Sequence, residues 1–212
     1  MLLKNNNKTA AVVLNAPSMN IEIEEEFIIC ADGGYNLAVG ICMPNVIVGD
    51  FDSIKGSFPE NVIKIVCPKE KDYTDGEKAI EYAVEKGYKR ISVYGATGGR
   101  IDHCYANLSL LEFAKTLGAE AIIKTDYETV YYKDKSDGKI RFKAKEGTTV
   151  SVLPYGDEVT LTDSFGLYYP YNDLTLTRTR SGKGISNITI SDEFGFTVLS
   201  GTALISVNRL NK

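Results

Sequence analysis

Short apolar runs alternate with segments of helical periodicity over residues 9–125, and this alternation constrains the fold more than any other feature. Helices are predicted at 37–41, after Thr74, and at 101–117. Because a helical crossover returns the chain to the same end of a sheet, the intervening strands are expected to pair in parallel. The predicted strands are 9–16, 27–31, 46–48, 62–66, 90–94 and 121–125. The pattern predicts a Rossmann-like parallel sheet with helices on both faces.

Two of the predicted helices have a recognisable end or face. Residues 74–77 read Thr-Asp-Gly-Glu, which matches a capping box, and the helix that follows is expected to stop near Gly87. In the helix at 101–117, the helical spacing selects an apolar stripe that we expect to face the core. That stripe consists of Ile101, Tyr105, Leu108 and Leu111.

The pattern changes at the polar segment 133–138, where we place a domain boundary. Beyond it, apolar and polar residues alternate and turn residues recur at short intervals, which is typical of an antiparallel β-sandwich. The alternating runs are 139–145, 148–153, 158–162, 174–177, 185–190, 195–199 and 202–207. The predicted fold class is α/β plus all-β, with an α/β domain at 1–133 and a β-sandwich domain at 138–212.

The charge balance and the hydropathy exclude several classes of partner. The 212 residues carry a net charge of −4 with no basic block, which argues against nucleic acid. No stretch is apolar for long enough to cross a bilayer, so no membrane partner is expected. Residues 1–9 are rich in Lys and Asn and lack the apolar core of a signal peptide, so we expect a cytoplasmic protein.

The cysteines and the single histidine limit the available chemistry. None of the four cysteines forms a C-x-x-C pair and each lies in or beside an apolar run, so buried free thiols are predicted. His103 is the only histidine, and its sequence neighbours indicate neither a zinc site nor a Ser-His-Asp triad.

Two carboxylates follow the third predicted strand, at Asp50 and Asp52 within Gly-Asp-Phe-Asp-Ser. On a continuing strand, side chains two residues apart face the same side, so both could reach one metal ion. Mg²⁺ takes oxygen ligands and often carries phosphates, which indicates a metal-dependent enzyme acting on phosphates. The alternative is a solvated turn, where Asp and Ser are favoured.

A second carboxylate pair, Asp72 and Asp75, lies where the capped helix begins. Metal binding is one interpretation of this pair. The other is helix capping, because an acidic residue in the first turn complements the positive end of the helix dipole.

Two glycine-rich turns each join a strand to a helix, at 31–36 and at 95–99. Glycine lets backbone amides approach a phosphate or an adenine closely. Neither turn is a Walker A motif, because G-K-[ST] is missing. Arg100 could hold a phosphate through its fork of donors, and Asp102 could contact a ligand or complement the helix dipole.

Taken together, these segments resemble the thiamine pyrophosphokinase family in order and spacing over nearly the whole chain. The segments are ADGGYN at 31–36, GDFDS at 49–53, KDYTD at 71–75 followed by Lys78, GATGGRIDH at 95–103 and KGISN at 183–187. The resemblance implies transfer of the terminal pyrophosphoryl group of ATP to the hydroxyl of thiamine, which gives thiamine diphosphate and AMP. It also implies a need for Mg²⁺, and a homodimer with the thiamine site between the α/β domain of one subunit and the β domain of the other.

The resemblance also implies roles for individual residues. Asp50, Asp52 and Asp75 would hold magnesium on the ATP phosphates, and Asp72 would support them. These three metal ligands, together with Arg100 near the phosphates and Asp102 near the thiamine, form the implied catalytic set.

The remaining implied residues contact ligands. Ser186 and Asn187 would contribute to the thiamine pocket from the partner subunit. Asp102 is one candidate for the general base, and a reaction without a dedicated base is the other. The other implied ligand contacts are Asp32, Gly33, Gly34, Asn36, Asp72, Lys78, Thr97, Gly98 and Gly99.

Three alternatives stay open at this point. The chain could be a pyrophosphokinase for another alcohol, such as a pterin. It could be a non-catalytic sensor of thiamine or nucleotide on the same scaffold, although sensors commonly lose metal ligands and Asp50, Asp52 and Asp75 are present. The β domain alone could also serve as an adaptor.

Overall fold

A ladder of parallel strands forms the first of two compact units. The computed structural model describes residues 8–54, 56 and 59–209, and the chain divides into Met1–Asp126 and Tyr127–Lys212. The strands of the first unit are β1 (Thr9–Val13), β2 (Phe27–Ala31), β3 (Val46–Gly49), β4 (Ile63–Val66), β5 (Arg90–Tyr94) and β6 (Glu120–Lys124). They pair in the order β6-β5-β1-β2-β3-β4, and each pair is parallel. The predicted parallel pairing is confirmed.

The central strands of this ladder are apolar and buried along their whole length. Val12, Ile29 and Ile47 are fully buried, as expected for parallel strands that are covered on both sides. At the edge strand β4, Ile63 and Val66 are exposed. The burial therefore centres on β1, β2 and β3, and the ends of β2 and β3 lead into two of the motifs identified above.

The helices of the first unit are α1 (Gly34–Ala38), α2 (Asp75–Glu85) and α3 (Ile101–Thr116). The predicted capping box is confirmed: the Thr74 hydroxyl accepts a hydrogen bond from the Glu77 amide at 3.1 Å. In return, the Glu77 carboxylate accepts one from the Thr74 amide at 2.6 Å. Helix α1 begins three residues before the predicted 37–41, because the chain already turns at Gly34.

The apolar stripe predicted for α3 is wrong in its first two turns. Ile101 and Tyr105 are exposed, whereas Leu110, Leu111 and Ala114 are buried. Helical spacing identifies a face of a helix, but burial requires a neighbour beside each turn. Helix α3 contacts β6 and α2, and its buried residues all lie in its second half.

The strands of the second unit pair only in antiparallel fashion among the described residues. They are β7 (Glu128–Asp134), β8 (Lys139–Lys143), β9 (Thr149–Phe165), β10 (Leu174–Thr177), β11 (Asn187–Ile188) and β12 (Glu193–Asn208). Strand β12 pairs with β9 along its length, with β8 near its start and with β7 near its end. Strand β9 also pairs with β10 and β11.

Two long strands replace four shorter predicted ones. Strand β9 continues through Pro154 and Gly156, and β12 continues through Ser200 and Gly201. The sequence places turns at these residues, but the ladder instead shifts register, for example between Gly201 and Ala203. A bulge of this kind bends a strand without ending it.

The polar segment at which the sequence predicts the boundary lies inside the second unit. Residues 135–137 form a short 3₁₀-helix between β7 and β8. Strand β7, which the sequence pattern does not predict, pairs with β12 of the same unit. The predicted strand at 185–190 shortens to β11, because Ser186 adopts a positive φ of 57°.

The cysteines are free, as predicted, but the prediction that they are buried holds only in part. All four cysteines are free, but only Cys30 and Cys67 are buried, while Cys42 and Cys104 are half-buried. In the described part of the chain, no helix is long and apolar enough to cross a membrane.

A buried carboxylate joins the segment before β2 to strands β5 and β6. The Glu25 side chain is 5% exposed and accepts hydrogen bonds from the Tyr94 hydroxyl at 2.8 Å and from Lys124 at 3.1 Å. It lines a cavity of about 760 Å³ beside the first residues of β1, β2, β5 and β6. Burial alone would raise the pKa of Glu25, but hydrogen bonds from Ser92, Tyr94 and Lys124 and the charge of Lys124 outweigh it and lower the pKa from its usual value.

The substitution Glu25→Gln is expected to lower the free energy of unfolding by about 2 kcal/mol at pH 7, because it leaves Lys124 without its buried counter-charge. A carboxylate with a lowered pKa stabilises the fold above its usual pKa and loses that contribution as the pH falls through the folded value. The difference between wild type and variant, measured by urea unfolding, should therefore shrink below about pH 4.5.

The control is Glu24→Gln, because Glu24 lies 3.7 Å from the same Lys124 but its side chain is 75% exposed. Its substitution should cost less than about 0.5 kcal/mol at either pH. Equal losses for the two variants would show that burial of Glu25 does not set the energy of this network.

Candidate active site

Two glycines bring both glycine-rich turns against the main chain that follows β1. A Cβ on Gly34 would lie 2.1 Å from the Val13 carbonyl oxygen, and a Cβ on Gly95 would lie 2.3 Å from the Leu14 carbonyl oxygen. Gly95 also has a positive φ of 67°. No other residue fits at either position, so the turns after β2 and β5 meet at one edge of the sheet.

Three carboxylates converge at this edge. Asp32 follows β2, Asp50 and Asp52 follow β3, and one oxygen from each lies within 4.8 Å of the others. Gly49 makes the approach possible, because a Cβ there would lie 3.1 Å from the Asp32 Cα. The Asp32 amide also donates to the Val48 carbonyl at 2.7 Å, which holds the two strand ends together.

Asp50 and Asp52 lie on a turn and not on a continuing strand. Strand β3 ends at Gly49, and Phe51 adopts a positive φ of 66°. The Asp50 carboxylate accepts a hydrogen bond from the Asp52 amide at 3.2 Å. The two carboxylates lie close together, as expected. An Asx-type turn brings them together, and not the geometry of a continuing strand.

The electrostatics of the cluster suit a cation with oxygen ligands. The Asp32 Oδ1 atom is buried and has no hydrogen-bond partner among the described residues. Hydrogen bonds from Lys69 and Ser53, with the charge of Lys69, lower the pKa of Asp52. Three carboxylates with one unsatisfied buried oxygen form the kind of donor set that Mg²⁺ or Ca²⁺ accepts.

Asp75 lies outside this three-carboxylate group and forms an ion pair with Lys71. Their charged atoms are 2.7 Å apart, and their side chains are 11% (Lys71) and 21% (Asp75) exposed. Burial alone would lower the pKa of Lys71, but the hydrogen bond to Asp75 and the charges of Asp75 and Asp50 raise it. Asp72, by contrast, is exposed.

The second glycine-rich turn presents exposed residues at the start of α3. Thr97, Gly98 and Gly99 are exposed, and Asn107 ties the turn to the helix by donating to the Ala96 carbonyl at 2.9 Å. This arrangement leaves the turn open to a ligand while its base is fixed.

Arg100 and Asp102 form a two-point ion pair beside this turn, with donor–acceptor distances of 3.1 and 2.6 Å. Both side chains are exposed. The hydrogen bond from Arg100 is the main cause that lowers the pKa of Asp102. A carboxylate held in this way is a weaker proton acceptor.

The first glycine-rich turn is linked to the Asp50 loop. The Asn36 side chain donates to the Ser53 carbonyl at 2.9 Å, so residues predicted as separate motifs form one framework. Lys78 lies on α2 and pairs with Glu81 at 2.9 Å. A Cβ added to Gly33 would lie 2.7 Å from the Asn15 side chain.

In the second unit, Asn187 has a structural role. It is buried, its side-chain oxygen accepts from the Tyr169 and Ile188 amides, and its nitrogen donates to the Tyr169 carbonyl. Ser186, directly before it, is exposed. Ligand contact by Ser186 and Asn187 stays a prediction.

Sequence reasoning missed two features of this site. Asp32 was assigned to ligand contact and not to the carboxylate cluster, because only the pairing of β2 with β3 brings it there. Lys69 and Lys71 were given no role, although the spacing of Lys71 and Asp75 is that of an ion pair at i and i+4.

Comparisons with known proteins show what this chain is similar to. Residues 20–123 match the family described as "Thiamin pyrophosphokinase, catalytic domain". Over 142 residues the chain is 30% identical to thiamine pyrophosphokinase from Bacillus subtilis, which covers 64% of this chain and 65% of that protein. By both comparisons the chain is similar to thiamine pyrophosphokinases. A Caenorhabditis elegans relative named thiamin pyrophosphokinase 1 is 27% identical over 140 residues, covering 63% of this chain and 58% of its own length.

Solved structures of thiamine pyrophosphokinases share the fold. The Bacillus subtilis structure superposes with a TM-score of 0.80 at 23% identity and covers 97% of this chain and 100% of its own. The Candida albicans structure gives a TM-score of 0.79 at 19% identity, with 96% and 89% covered.

The thiamine pyrophosphokinase catalytic match includes the carboxylate cluster, the Lys71–Asp75 pair and the Arg100–Asp102 pair. Ser186 and Asn187 lie outside the matched residues. The curated relatives are matched over less than two thirds of their length. The resemblance found from the motifs is confirmed by these matches.

Gly95→Ala is expected to lower the free energy of unfolding by about 3 kcal/mol, because the added Cβ would both strain a positive φ and clash with the Leu14 carbonyl. Gly87→Ala is the matched control: Gly87 has a φ of 86°, but nothing lies within 4 Å of its added Cβ. It should cost about 1 kcal/mol. Equal losses in chemical denaturation would mean that contact with β1 does not hold the turn.

Proposed function

We propose that this protein is a thiamine pyrophosphokinase that transfers the pyrophosphoryl group of ATP to the hydroxyl of thiamine. The hydroxyl oxygen loses its proton to solvent and forms a bond to the β-phosphorus. The bond from that phosphorus to the oxygen that bridges it to the α-phosphorus breaks, and AMP leaves with that oxygen. The observation that carries the proposal is the convergence of Asp32, Asp50 and Asp52 at the strand ends, within the residues that match the catalytic domain.

The carboxylate cluster is the proposed magnesium site. The unsatisfied Asp32 oxygen and the donor set of Asp32, Asp50 and Asp52 fit Mg²⁺, and Asp75 would complete the set from the start of α2. Bound magnesium would supply neutralising charge on the ATP phosphates. Asp72, being exposed beside Asp75, would support the site electrostatically.

The remaining contacts position the substrates. The exposed amides of Thr97, Gly98 and Gly99 precede α3 and suit a phosphate or the adenine. Phosphoryl transfer of this kind depends mainly on positioning and on charge neutralisation. With Asn36 tying the Asp32 turn to the Asp50 loop, the framework would hold the polyphosphate before the alcohol attacks.

Asp102 is better suited to orient Arg100 than to act as the general base. Its carboxylate is engaged by the guanidinium at two points, and its pKa is lowered mainly by that hydrogen bond. We propose that Arg100, held by Asp102, faces the phosphates.

The finer architecture also belongs to this proposal. Parallel pairing supports a Rossmann-like first domain with helices on both faces. The antiparallel ladders on the two halves of β9 and β12 support a β-sandwich in the second. We propose further that the second domain serves thiamine binding and dimerisation, and that the protein is cytoplasmic.

The deciding experiment measures AMP release from ATP and Mg²⁺ with and without thiamine, followed by phosphorus NMR of the product. AMP that depends on thiamine, with thiamine diphosphate formed, supports the proposal. ADP as the product would mean transfer of a single phosphoryl group. Turnover with a pterin alcohol but not with thiamine would assign another substrate, and thiamine binding without turnover would indicate a sensor.

Asp50→Asn is expected to lower kcat at least about 100-fold and to weaken the dependence on Mg²⁺, because it removes one charged ligand of the cluster. Thermal unfolding should change little. The control is Asp157→Asn, an exposed aspartate of the second unit, which should retain activity. A large loss of stability with normal specific activity would instead make Asp50 structural.

A further inference from the structure

The ion pair between Lys71 and Asp75 distinguishes itself from the other ion pairs near the site by its burial. The pair is short, at 2.7 Å, and the Lys71 side chain is only 11% exposed. Lys69, two residues earlier, pairs with Asp52 at 3.0 Å but is 79% exposed. An exposed pair of that kind is screened by water and contributes little, whereas the charge of Lys71 is screened much less.

Both lysines lie on the connection between β4 and α2. Each forms an ion pair with a carboxylate that is proposed to hold the cation. Asp32, Asp50, Asp52 and Asp75 together carry four negative charges if ionised, and Lys69 and Lys71 offset two of them. The carboxylates must still accept a complex whose phosphates are negative. A positively charged side chain beside the carboxylates therefore opposes binding of the metal ion and favours binding of the nucleotide phosphates.

The surroundings of Lys71 limit where its charge can act. Lys71 pairs with Asp75 at the start of α2, and Lys69, two residues earlier on the same connection, pairs with Asp52 of the cluster. Asp75 lies in the first turn of α2, where the backbone amides are already held by the capping box. The helix therefore keeps its start without Lys71, while the orientation of the Asp75 carboxylate depends on the lysine.

We propose that Lys71 is a positioning residue that holds the Asp75 carboxylate, competes with the divalent cation for it, and supports nucleotide binding with its positive charge. This inference rests on the proposed function for the identity of the nucleotide and the metal. In this inference, the charge of Lys71 weakens binding of the metal ion and strengthens binding of the polyphosphate.

The test is Lys71→Met, examined first for binding of Mn²⁺ without nucleotide by electron paramagnetic resonance. Mn²⁺ takes the same oxygen ligands as Mg²⁺. Loss of the competing ammonium should tighten Mn²⁺ binding about threefold to tenfold, as expected for one partly screened charge a few ångströms away. The KM for ATP should rise about tenfold, with kcat changed less than about threefold, and Lys71→Arg should restore both values.

The matched control is Lys133→Met in the second unit. Lys133 and Asp137 are also spaced i and i+4, lie 3.4 Å apart and are 14% and 18% exposed. This variant should lose stability to a similar degree and leave Mn²⁺ binding and the KM for ATP unchanged. A Lys71→Met protein that behaves like this control would overturn the inference and leave Lys71 with a structural role only.

The two proposals fail in distinguishable ways. If the wild-type protein makes no thiamine diphosphate, the proposed function fails, but the Mn²⁺ titration still decides the role of Lys71. If the wild-type protein is active and Lys71→Met binds Mn²⁺ as the wild type does or more weakly, the inference fails alone. Absence of Mn²⁺ binding to the wild-type protein would overturn the inference, whereas the product assay alone decides the proposed function.

Discussion

The close approach of two glycine turns to the end of β1 is the constraint on which the site depends. Gly34 and Gly95 lie against consecutive carbonyl groups, at Val13 and Leu14, so the connections after β2 and β5 cannot spread apart. Gly49 has the same effect between β3 and Asp32. Side chains from three connections are thereby held at one edge of a rigid sheet, where ligands of α/β proteins gather.

This convergence concentrates negative charge, and two lysines form ion pairs with carboxylates of the site. Three carboxylates within 4.8 Å of one another would repel each other strongly in a partly buried place. Lys69 and Lys71 pair with Asp52 and Asp75 on the connection before α2, while one oxygen of Asp32 stays without a partner. The arrangement is suited to a cation with oxygen ligands.

The second unit is built differently: two long strands, β9 and β12, pair with each other and with all the shorter strands described in the unit. Bulges allow β9 and β12 to bend and to pair with different neighbours on their two halves. Buried aromatic rings fill the core, with Tyr171 packed edge-on against Phe196 at 5.5 Å. The side-chain amide of the buried residue Asn187 holds the loop at Tyr169 by two hydrogen bonds. Asn187 belongs to a motif found by resemblance, and these bonds give it a structural role as well.

Local sequence determined the elements whose signals are local. The strands Phe27–Ala31, Arg90–Tyr94 and Leu174–Thr177 and the capping box at Thr74 follow from apolar runs and from side chains that bond their own backbone, and the order of the motifs was sufficient to indicate the family. Only the tertiary structure decided that Asp32 joins Asp50 and Asp52, that Ile101 and Tyr105 stay exposed and that β9 and β12 pass through predicted turns. The physical reason is that burial, register and the meeting of charges depend on which neighbour lies beside a residue, and periodicity along one chain carries no information about that neighbour.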